Sequence, residues 1–339
     1  MKVDLRSDTV TQPSKAMLAA MMQAKLGDDV FGDDPTVIAL EEKASKLFKH
    51  EAALFCPSGT MTNQIAIQVH TQSPAEVICD TTAHIYRYEG GGIAYNANCS
   101  VRLIQGDRGR FTLSQLKKEI NPNDIHFPPS QLLSIENTSN KGGGSTWEMN
   151  DLQEISAYCK RNKMPLHIDG ARLFNALVAK NIDAEDIGPL FDSISICLSK
   201  GLGCPVGSLL IGSNAFIHKA RRIRKIMGGG MRQAGILAAA GIYALDHNID
   251  RLKDDHQRAK SIVDHLKSMP YVEGILPSET NIVIFKLKEN VPMDKFIAEL
   301  SSSGIGAASI GPQSVRFVTH LGIDDEDIQY LIDVLKQLA

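Results

Sequence analysis

The chain has 339 residues, of which 43% are hydrophobic and 22% are charged, and its formal net charge at pH 7 is −3. This composition is typical of a soluble globular protein, and the weak net charge argues against nucleic acid or a membrane as a partner. The N-terminus has no apolar segment typical of a signal peptide, and the six cysteines form no CxxC pair. We therefore expect a cytoplasmic protein with reduced cysteines and no metal site.

The pattern of predicted strands and helices divides the chain into three parts. Residues 1–35 carry many aspartates and predict an N-terminal arm that lines a site or an interface. Over residues 36–245, strand-like runs alternate with helical patterns, which predicts a large α/β domain with a mainly parallel sheet. Residues 246–339 contain a charged helix, two strands and a final helix, which predicts a smaller α+β domain.

The segment 57–63 predicts an anion site. It follows the apolar run 52–56 and precedes a helical pattern. A tight turn that opens a helix presents free backbone N–H groups and the positive end of the helix dipole. Gly59 permits close approach of a ligand, and Thr60 adds a hydroxyl donor. Ser58 or Thr60 could simply cap the helix, but capping is compatible with phosphate binding.

Two charged residues lie where neighbouring parallel strands are predicted to end. Asp169 ends the strand 164–169, and Lys200 follows the strand 192–198, 31 residues further along the chain. Such strand ends face the crevice in which open α/β sheets bind ligands. A desolvated lysine can act as a nucleophilic amine, and a carboxylate nearby can keep a pyridinium nitrogen protonated. The pair predicts a Schiff-base site for pyridoxal phosphate (PLP); Asp169 alone could instead cap a helix or pair with Arg172.

The glycine-rich segment 201–207 does not predict a nicotinamide site. Its spacing is GxGxxxG, and the residues that follow, 208–212, read as another strand. A dinucleotide-binding loop has to open a helix at that point.

Arg316 is a further candidate, because it lies in the middle of a predicted apolar strand. An unpaired arginine there would be costly. A bidentate clamp on a substrate carboxylate would satisfy it, and so would an internal salt bridge. His84, in a polar turn after the strand-like run 77–80, is a residue type that titrates near neutral pH.

Ordered motifs along nearly the whole chain resemble those of the L-threonine aldolases of the low-specificity or L-allo type, which are fold-type-I PLP enzymes. The motifs are residues 4–11, 27–35, 58–60, 83–89, 167–172, 198–203, 228–233 and 315–320. The resemblance implies a large domain like that of aspartate aminotransferase. It also implies retro-aldol cleavage of L-allo-threonine or L-threonine to glycine and acetaldehyde.

The resemblance also implies roles for individual residues. PLP would be held by Lys200, Gly59, Thr60, His84, Asp169, Arg172 and Arg232. The substrate, a small β-hydroxy amino acid, would contact Ser7, Phe31, Tyr88, His126 and Arg316. His84, His126 or a water would serve as the catalytic base. A homodimer or homotetramer with shared active sites is expected, in which Arg232 reaches the phosphate from the neighbouring subunit.

Two departures from the family pattern leave alternatives open. Phe31 stands where the family usually has tyrosine, and the turn 139–144 reads Ser-Asn-Lys-Gly-Gly-Gly where relatives tend to have His-Asn-Gly. We expect this turn to be looser as a result. Other PLP reactions, namely β-elimination, transamination or serine hydroxymethyl transfer, would use the same lysine, aspartate and phosphate loop. A PLP-binding module with weakened catalysis is the second alternative.

Overall fold

The computed structural model describes residues 1–338, which form three β-sheets and fourteen α-helices. The strands are β1 (Val3–Asp4), β2 (Ala52–Cys56), β3 (Ala75–Asp80), β4 (Cys99–Ile104), β5 (Ser130–Glu136), β6 (Leu166–Gly170), β7 (Ser193–Cys197), β8 (Ser208–Gly212), β9 (Val272–Ile275), β10 (Ile282–Leu287), β11 (Ile305–Gly306), β12 (Ala308–Gly311) and β13 (Ser314–Val318). The helices are α1 (Lys15–Met22), α2 (Pro35–Leu47), α3 (Gly59–His70), α4 (His84–Arg87), α5 (Gly92–Ala97), α6 (Leu113–Glu119), α7 (Met149–Arg161), α8 (Leu173–Lys180), α9 (Ala184–Ile187), α10 (Asn214–Ile226), α11 (Gly235–His247), α12 (Leu252–Leu266), α13 (Met293–Ser302) and α14 (Asp325–Gln337).

The largest sheet has seven strands in the order β2-β8-β7-β6-β5-β3-β4. Strand β8 runs antiparallel to both of its neighbours, and the other neighbouring strands are parallel. Strands β3, β6, β7 and β8 are buried along their whole length, as parallel strands are when helices cover both faces of a sheet. The predicted α/β fold with a mainly parallel sheet is confirmed.

The register between β6 and β7 brings the two predicted site residues together. Asp169 lies opposite Ser195 in this parallel pair, and Lys200 follows the end of β7 after a few residues. The carboxyl ends of parallel strands open on the same edge of a sheet. Both side chains are therefore available to one crevice.

Helix α7 illustrates which part of a helix the sequence pattern determines. Leu152, Ile155 and Cys159 form its buried face, as their spacing predicts. Asn150 is a residue type that often caps helices, but here the helix already begins at Met149 and the N-cap position belongs to Glu148, whose side chain makes no capping bond. The apolar face decides where the helix packs, whereas its first turn depends on how the preceding loop arrives.

The C-terminal residues build a second core around an antiparallel sheet with strand order β12-β13-β10-β9. The rings of Phe285, Phe296 and Phe317 meet in it, with centroid separations of 6.1 Å for the first pair and 5.4 Å between Phe285 and Phe317. Strand β1 pairs in parallel with β11, so the buried side chains of Val3 and Leu5 belong to this core. A two-residue strand is too short for a sequence pattern to reveal.

Two further findings concern residues 1–338 as a whole. All six cysteines are buried free thiols, and none of the helices in this part of the chain combines the length and apolar character that crossing a membrane requires.

Candidate active site

Two adjoining cavities lie where β5, β6 and β7 end and α3 and α4 begin; His84, Ala171 and Lys200 line both. The smaller, of about 170 Å³, is lined by Ser58, Gly59, Thr60, Asn63, His84, Glu89, Asp169, Ala171, Cys197, Ser199 and Lys200. The larger, of about 550 Å³, is lined by Ser7, Thr9, His84, Tyr88, Glu136, Asn140, Lys141, Ala171, Arg172, Lys200, Ala308, Ser309, Ile310 and Arg316.

The N-terminus of α3 forms one wall of the smaller cavity. Ser58 is the N-cap, and its Oγ accepts the N–H of Met61 at 3.2 Å. The amides of Gly59 and Thr60 lie in the first turn, where no intrahelical acceptor exists. A Cβ on Gly59 would lie 2.5 Å from the Sγ of Cys197, so glycine allows this helix end to approach β7. Free amides and the helix dipole fit a phosphate here.

A buried hydrogen-bond network holds Asp169 beneath the cavity. The Nδ2 of Asn63 donates to Asp169 Oδ2 at 3.0 Å and to Glu89 Oε1 at 2.9 Å. The Oδ1 of Asn63 lies 3.1 Å from the Nε2 of His167, and the N–H of Ala171 donates to Asp169 Oδ1 at 3.1 Å. Asp169 therefore neither caps a helix nor pairs with an arginine. Its fixed, buried carboxylate suits the proposed contact with a pyridinium N–H.

His84 begins helix α4 and is oriented by two carboxylates. Its Nδ1 lies 3.1 Å from Glu89 Oε1, and its backbone N–H donates to Glu136 Oε2 at 3.2 Å. Burial lowers the pKa of His84, but the hydrogen bond that its ring donates to Glu89 and the charge of Asp169 outweigh this effect, so the pKa is raised. The ring of Tyr88 stands 5.6 Å away, centroid to centroid.

Glu136, the last residue of β5, joins two loops of the site. Its Oε1 accepts the backbone N–H of Asn140 at 3.0 Å, and its Oε2 accepts that of His84. Burial and the neighbouring charge of Asp169 raise the pKa of Glu136 to about 7. Titration of this carboxyl near neutral pH would alter both loops at once.

Arg172 and Asp8 form a buried, bidentate ion pair, with N–O distances of 2.7 and 2.8 Å. Burial raises the pKa of Asp8, but the charge and hydrogen bonds of Arg172 outweigh it and bring the pKa to about 2. The guanidinium charge is thereby neutralised within the protein. Arg172 lines the larger cavity, and the predicted alternative in which it pairs with Asp169 is wrong.

Arg316 enters the larger cavity without an anionic partner among residues 1–338. Its Nη1 donates to Asn140 Oδ1 at 2.8 Å, its Nη2 donates to the carbonyl of Arg6 at 2.9 Å, and its buried Nε has no acceptor. Burial, followed by the charge of Arg172, lowers the pKa of Arg316. The structure does not contain the internal salt bridge considered above. The arginine is arranged to receive a carboxylate, with Ser7 in the same wall.

Three of the predicted site residues lie away from these cavities in the single chain. His126 is exposed, lies 2.7 Å from Asp124, and precedes β5 at the opposite edge of the sheet. Arg232 binds Asp28 at 2.9 Å and stands 5.7 Å from the ring of Phe31, which is 79% exposed. None of the three lines the cavities at Lys200.

The expectation that the turn 139–144 is loose is wrong. Ser139 and Ser145 form a β-bridge, the N–H of Gly144 donates to the carbonyl of Ser139 at 2.9 Å, and most of the turn is buried. Other site residues that sequence analysis missed are Asp8, Asn63, Glu89, Glu136 and Asn140. Several of them lie inside motifs noted above, but their pairing depends on contacts between distant parts of the chain.

The cluster of His84, Glu89 and Asp169 also has the composition of a metal site. Their ligand atoms lie within 4.8 Å of one another. However, Asn63 already donates N–H to both carboxylates. A metal ion bound by both carboxylates would have to displace the amide group of Asn63. A protonated ring nitrogen would need only one further contact with the carboxylate of Asp169.

Comparison with known proteins supplies the family context. Residues 4–290 match the family described as beta-eliminating lyase. The sequence is 43% identical to the low specificity L-threonine aldolase of Escherichia coli K12 over 328 residues, which cover 96% of both chains. It is 38% identical to low-specificity L-threonine aldolase 1 of Arabidopsis thaliana, covering 99% of this chain and 96% of the relative. The structure superposes on the threonine aldolase of Leishmania major with a TM-score of 0.87, at 23% identity and 99% coverage of each chain, which confirms the fold-type-I architecture.

The contact between Gly59 and Cys197 predicts how the anion site can be damaged and repaired. Gly59→Ala should weaken PLP binding about 5- to 150-fold, since an overpacked methyl group costs about 1–3 kcal/mol. Adding Cys197→Ala should restore affinity, because the next atom near the new Cβ is Ser208 Oγ at 3.6 Å. Titration of the apoprotein with PLP measures both effects, with Cys197→Ala alone as the control. Equal affinity of the single and double variants would exclude this steric explanation.

Proposed function

The chain belongs to the low-specificity L-threonine aldolases within the beta-eliminating lyase family, and from this we propose how its own residues carry out the reaction. Members of the family are PLP-dependent lyases that cleave threonine to glycine and acetaldehyde. The observation that carries the assignment is one crevice with Lys200 and Asp169 at one end and the unneutralised Arg316 at the other.

In this proposal four residues hold the cofactor. Lys200 forms the covalent link, the amides of Gly59 and Thr60 bind the phosphate, and Asp169 keeps the ring nitrogen protonated. Bound PLP supplies a ring that accepts the electron pair of a breaking bond. The hydrogen bonds from Asn63 and Ala171 keep Asp169 fixed, so its charge needs no rearrangement during the reaction.

The substrate is held by its carboxylate in the larger cavity. Arg316 donates to the α-carboxylate, and Ser7 adds a hydroxyl group. Two contacts of the guanidinium are already fixed by Asn140 and Arg6, which sets the direction of its remaining N–H groups. A carboxylate gripped in a fixed direction also fixes the orientation of the Cα–Cβ bond that breaks. Tyr88 bounds the cavity on the side of the substrate β-carbon.

His84 is the proposed base that removes the proton of the β-hydroxyl group. Glu89 fixes its Nδ1 and therefore its ring orientation. A water could take the same proton. His126 is a further alternative only as a residue of a neighbouring subunit, since it lies at the far edge of the sheet in its own chain.

We further propose a homodimer or homotetramer with active sites shared between subunits. Phe31, Arg232 and His126 are exposed and lie apart from the cavity of their own chain, which suits a role in the neighbouring site. The same proposal divides the chain into an arm (1–35), a large domain (36–245) and a small domain (246–339). It also includes a cytoplasmic location, a role in glycine biosynthesis and cleavage of the L-allo isomer.

Product analysis tests the proposed reaction. L-threonine and L-allo-threonine should give acetaldehyde and glycine, whereas β-elimination or transamination would give a keto acid. Lys200→Ala should lose activity by several orders of magnitude and lose the borohydride-reducible cofactor link, because the substitution removes the amine proposed to bind the cofactor covalently. Lys253→Ala, a lysine outside these cavities, is the control. Keto acid as the main product, or cofactor binding with no product at all, would refute the aldolase assignment.

The raised pKa of His84 predicts a dependence of activity on pH. A base has to be neutral, so kcat/KM should rise with pH through a value above about 6.5, the usual pKa of histidine. Glu89→Gln removes the strongest cause of the raised value and leaves burial, which lowers it. The acidic limb should therefore move to lower pH. Glu185→Gln, at a surface ion pair, should leave the profile unchanged. An unmoved limb in Glu89→Gln would show that another group is titrating.

Complementation tests whether the sites are shared. Lys200→Ala and Arg232→Ala subunits should each be inactive, and mixed dimers should regain one intact site if Arg232 acts across the interface. Lys200→Ala mixed with Asp169→Ala is the matched control, because both residues line the same cavity and no mixed dimer then has an intact site. Activity assays on mixed dimers verified by mass give the answer. Absence of recovery with Arg232→Ala would assign this arginine to its own chain.

A further inference from the structure

The larger cavity contains more cationic groups than threonine can use. Its cationic lining residues are Lys141, Arg172, Lys200 and Arg316. Arg172 is neutralised by Asp8, Lys200 is the proposed cofactor lysine, and Arg316 receives the α-carboxylate. Lys141 has no anionic partner within 4 Å in the described part of the chain, and its ammonium makes one hydrogen bond, to the carbonyl of Ile310 at 2.7 Å.

The only carboxylate in the lining of this cavity does not compensate the charge of Lys141. Glu136 uses its two oxygens to accept the backbone N–H groups of His84 and Asn140. Its raised pKa of about 7 further reduces its charge near neutral pH. An ammonium has three N–H donors, so two donors of Lys141 remain for a ligand or water.

The position of Lys141 is fixed by an irregularity in the pairing of β12 with β13, in the four-stranded sheet. Strands β12 and β13 shift register between Ser309 and Gly311, which leaves Ile310 outside the ladder. Its carbonyl is consequently free to accept from Lys141. Arg316 lies opposite Ala308 in the same pair of strands. Both cations therefore lie at the same part of the β12–β13 pair, and both line the larger cavity.

Lys141 also lies close to the proposed catalytic base. Lys141 Nζ stands 5.8 Å from the centroid of the Tyr88 ring, and that ring packs beside His84. In the proposed reaction the β-carbon lies beside His84, and the ring of Tyr88 lies near both His84 and Lys141. An anionic group on the substrate side chain would meet the ammonium of Lys141 there.

We propose that this enzyme also cleaves β-hydroxy amino acids whose side chain ends in a carboxylate, with Lys141 as the residue that recognises this second carboxylate. The inference rests on the proposed function. For 3-hydroxyaspartate, the β-hydroxyl group loses its proton, the Cα–Cβ bond breaks and its electron pair passes to the bound cofactor, and Cα then takes up a proton. The products are glycine and glyoxylate, so atoms and electrons balance without a further reactant.

The test compares an acidic and a neutral substrate in variants of single lysines. Lys141→Met keeps an unbranched side chain, shorter by the terminal amine, and removes its charge. It should lower kcat/KM for L-3-hydroxyaspartate about 10- to 100-fold, mainly through KM, because a hydrogen bond to a charged group is lost. Activity on L-threonine should stay within about twofold, since the side chain of threonine carries no anionic group for the ammonium to bind. Glyoxylate and acetaldehyde are the measured products.

Two further variants make the comparison specific. Lys160→Met is matched to Lys141→Met, because Lys160 also donates to a backbone carbonyl, that of Pro189 at 2.7 Å, but lies on α7 outside the cavity. It should affect neither substrate. Arg316→Lys should impair both substrates, since a lysine cannot reproduce the bidentate grip on the α-carboxylate.

A binding experiment separates this proposal from the proposed function. L-aspartate lacks the β-hydroxyl group, so it cannot undergo retro-aldol cleavage. Calorimetry on the holoenzyme should show tighter binding of L-aspartate than of L-alanine, and Lys141→Met should remove the difference. If wild type fails to cleave threonine, the proposed function is refuted, and these affinities still decide the role of Lys141. Threonine cleavage without hydroxyaspartate cleavage, or equal effects of Lys141→Met on both substrates, would overturn the proposal.

Discussion

The arrangement of the site depends on three buried carboxylates at one edge of the large sheet. Glu89, Glu136 and Asp169 lie close together, and like charges in a buried setting are costly unless N–H donors surround them. Asn63 donates to two of these carboxylates, and the backbone amides of His84 and Asn140 donate to the third. Satisfying these acids is what ties α3, α4 and the turn after β5 into one frame.

The same requirement explains why the start of the chain belongs to the site. Asp8 neutralises the buried Arg172, and a buried arginine without such a partner would cost several kcal/mol. The segment that delivers Asp8 is held by β1 in the C-terminal core. This segment also supplies the carbonyl of Arg6, which accepts from Arg316. Among residues 1–338, Arg172 is thus paired internally, whereas Arg316, for which we propose the role of binding the substrate carboxylate, has only neutral acceptors.

The sequence revealed those parts of the molecule that follow from local pattern. The alternation of apolar residues located β6 and β7, and the parallel connection between them placed Asp169 and Lys200 at one sheet edge. The glycine turn before α3 was recognisable for the same reason. What the sequence did not reveal are contacts between distant segments. No local pattern links Asn63 to Glu89, or Asn140 to Arg316, because these pairs form only after the sheets have assembled.

The turn after β5 shows why replacing residues in a loop need not loosen it. Gly143 and Gly144 both adopt φ of +72°, and a Cβ on Gly144 would lie 2.3 Å from the Oγ1 of Thr280. Glycine therefore allows the turn to pack directly against the segment that leads into β10 of the four-stranded sheet. In this segment Thr280 donates to the carbonyl of Gly144 at 2.9 Å. Asn140 in the same turn contacts Arg316. In the proposed function, the substrate carboxylate binds where the seven-stranded and four-stranded sheets meet, so the relative position of these sheets would determine the orientation of the bond to be cleaved.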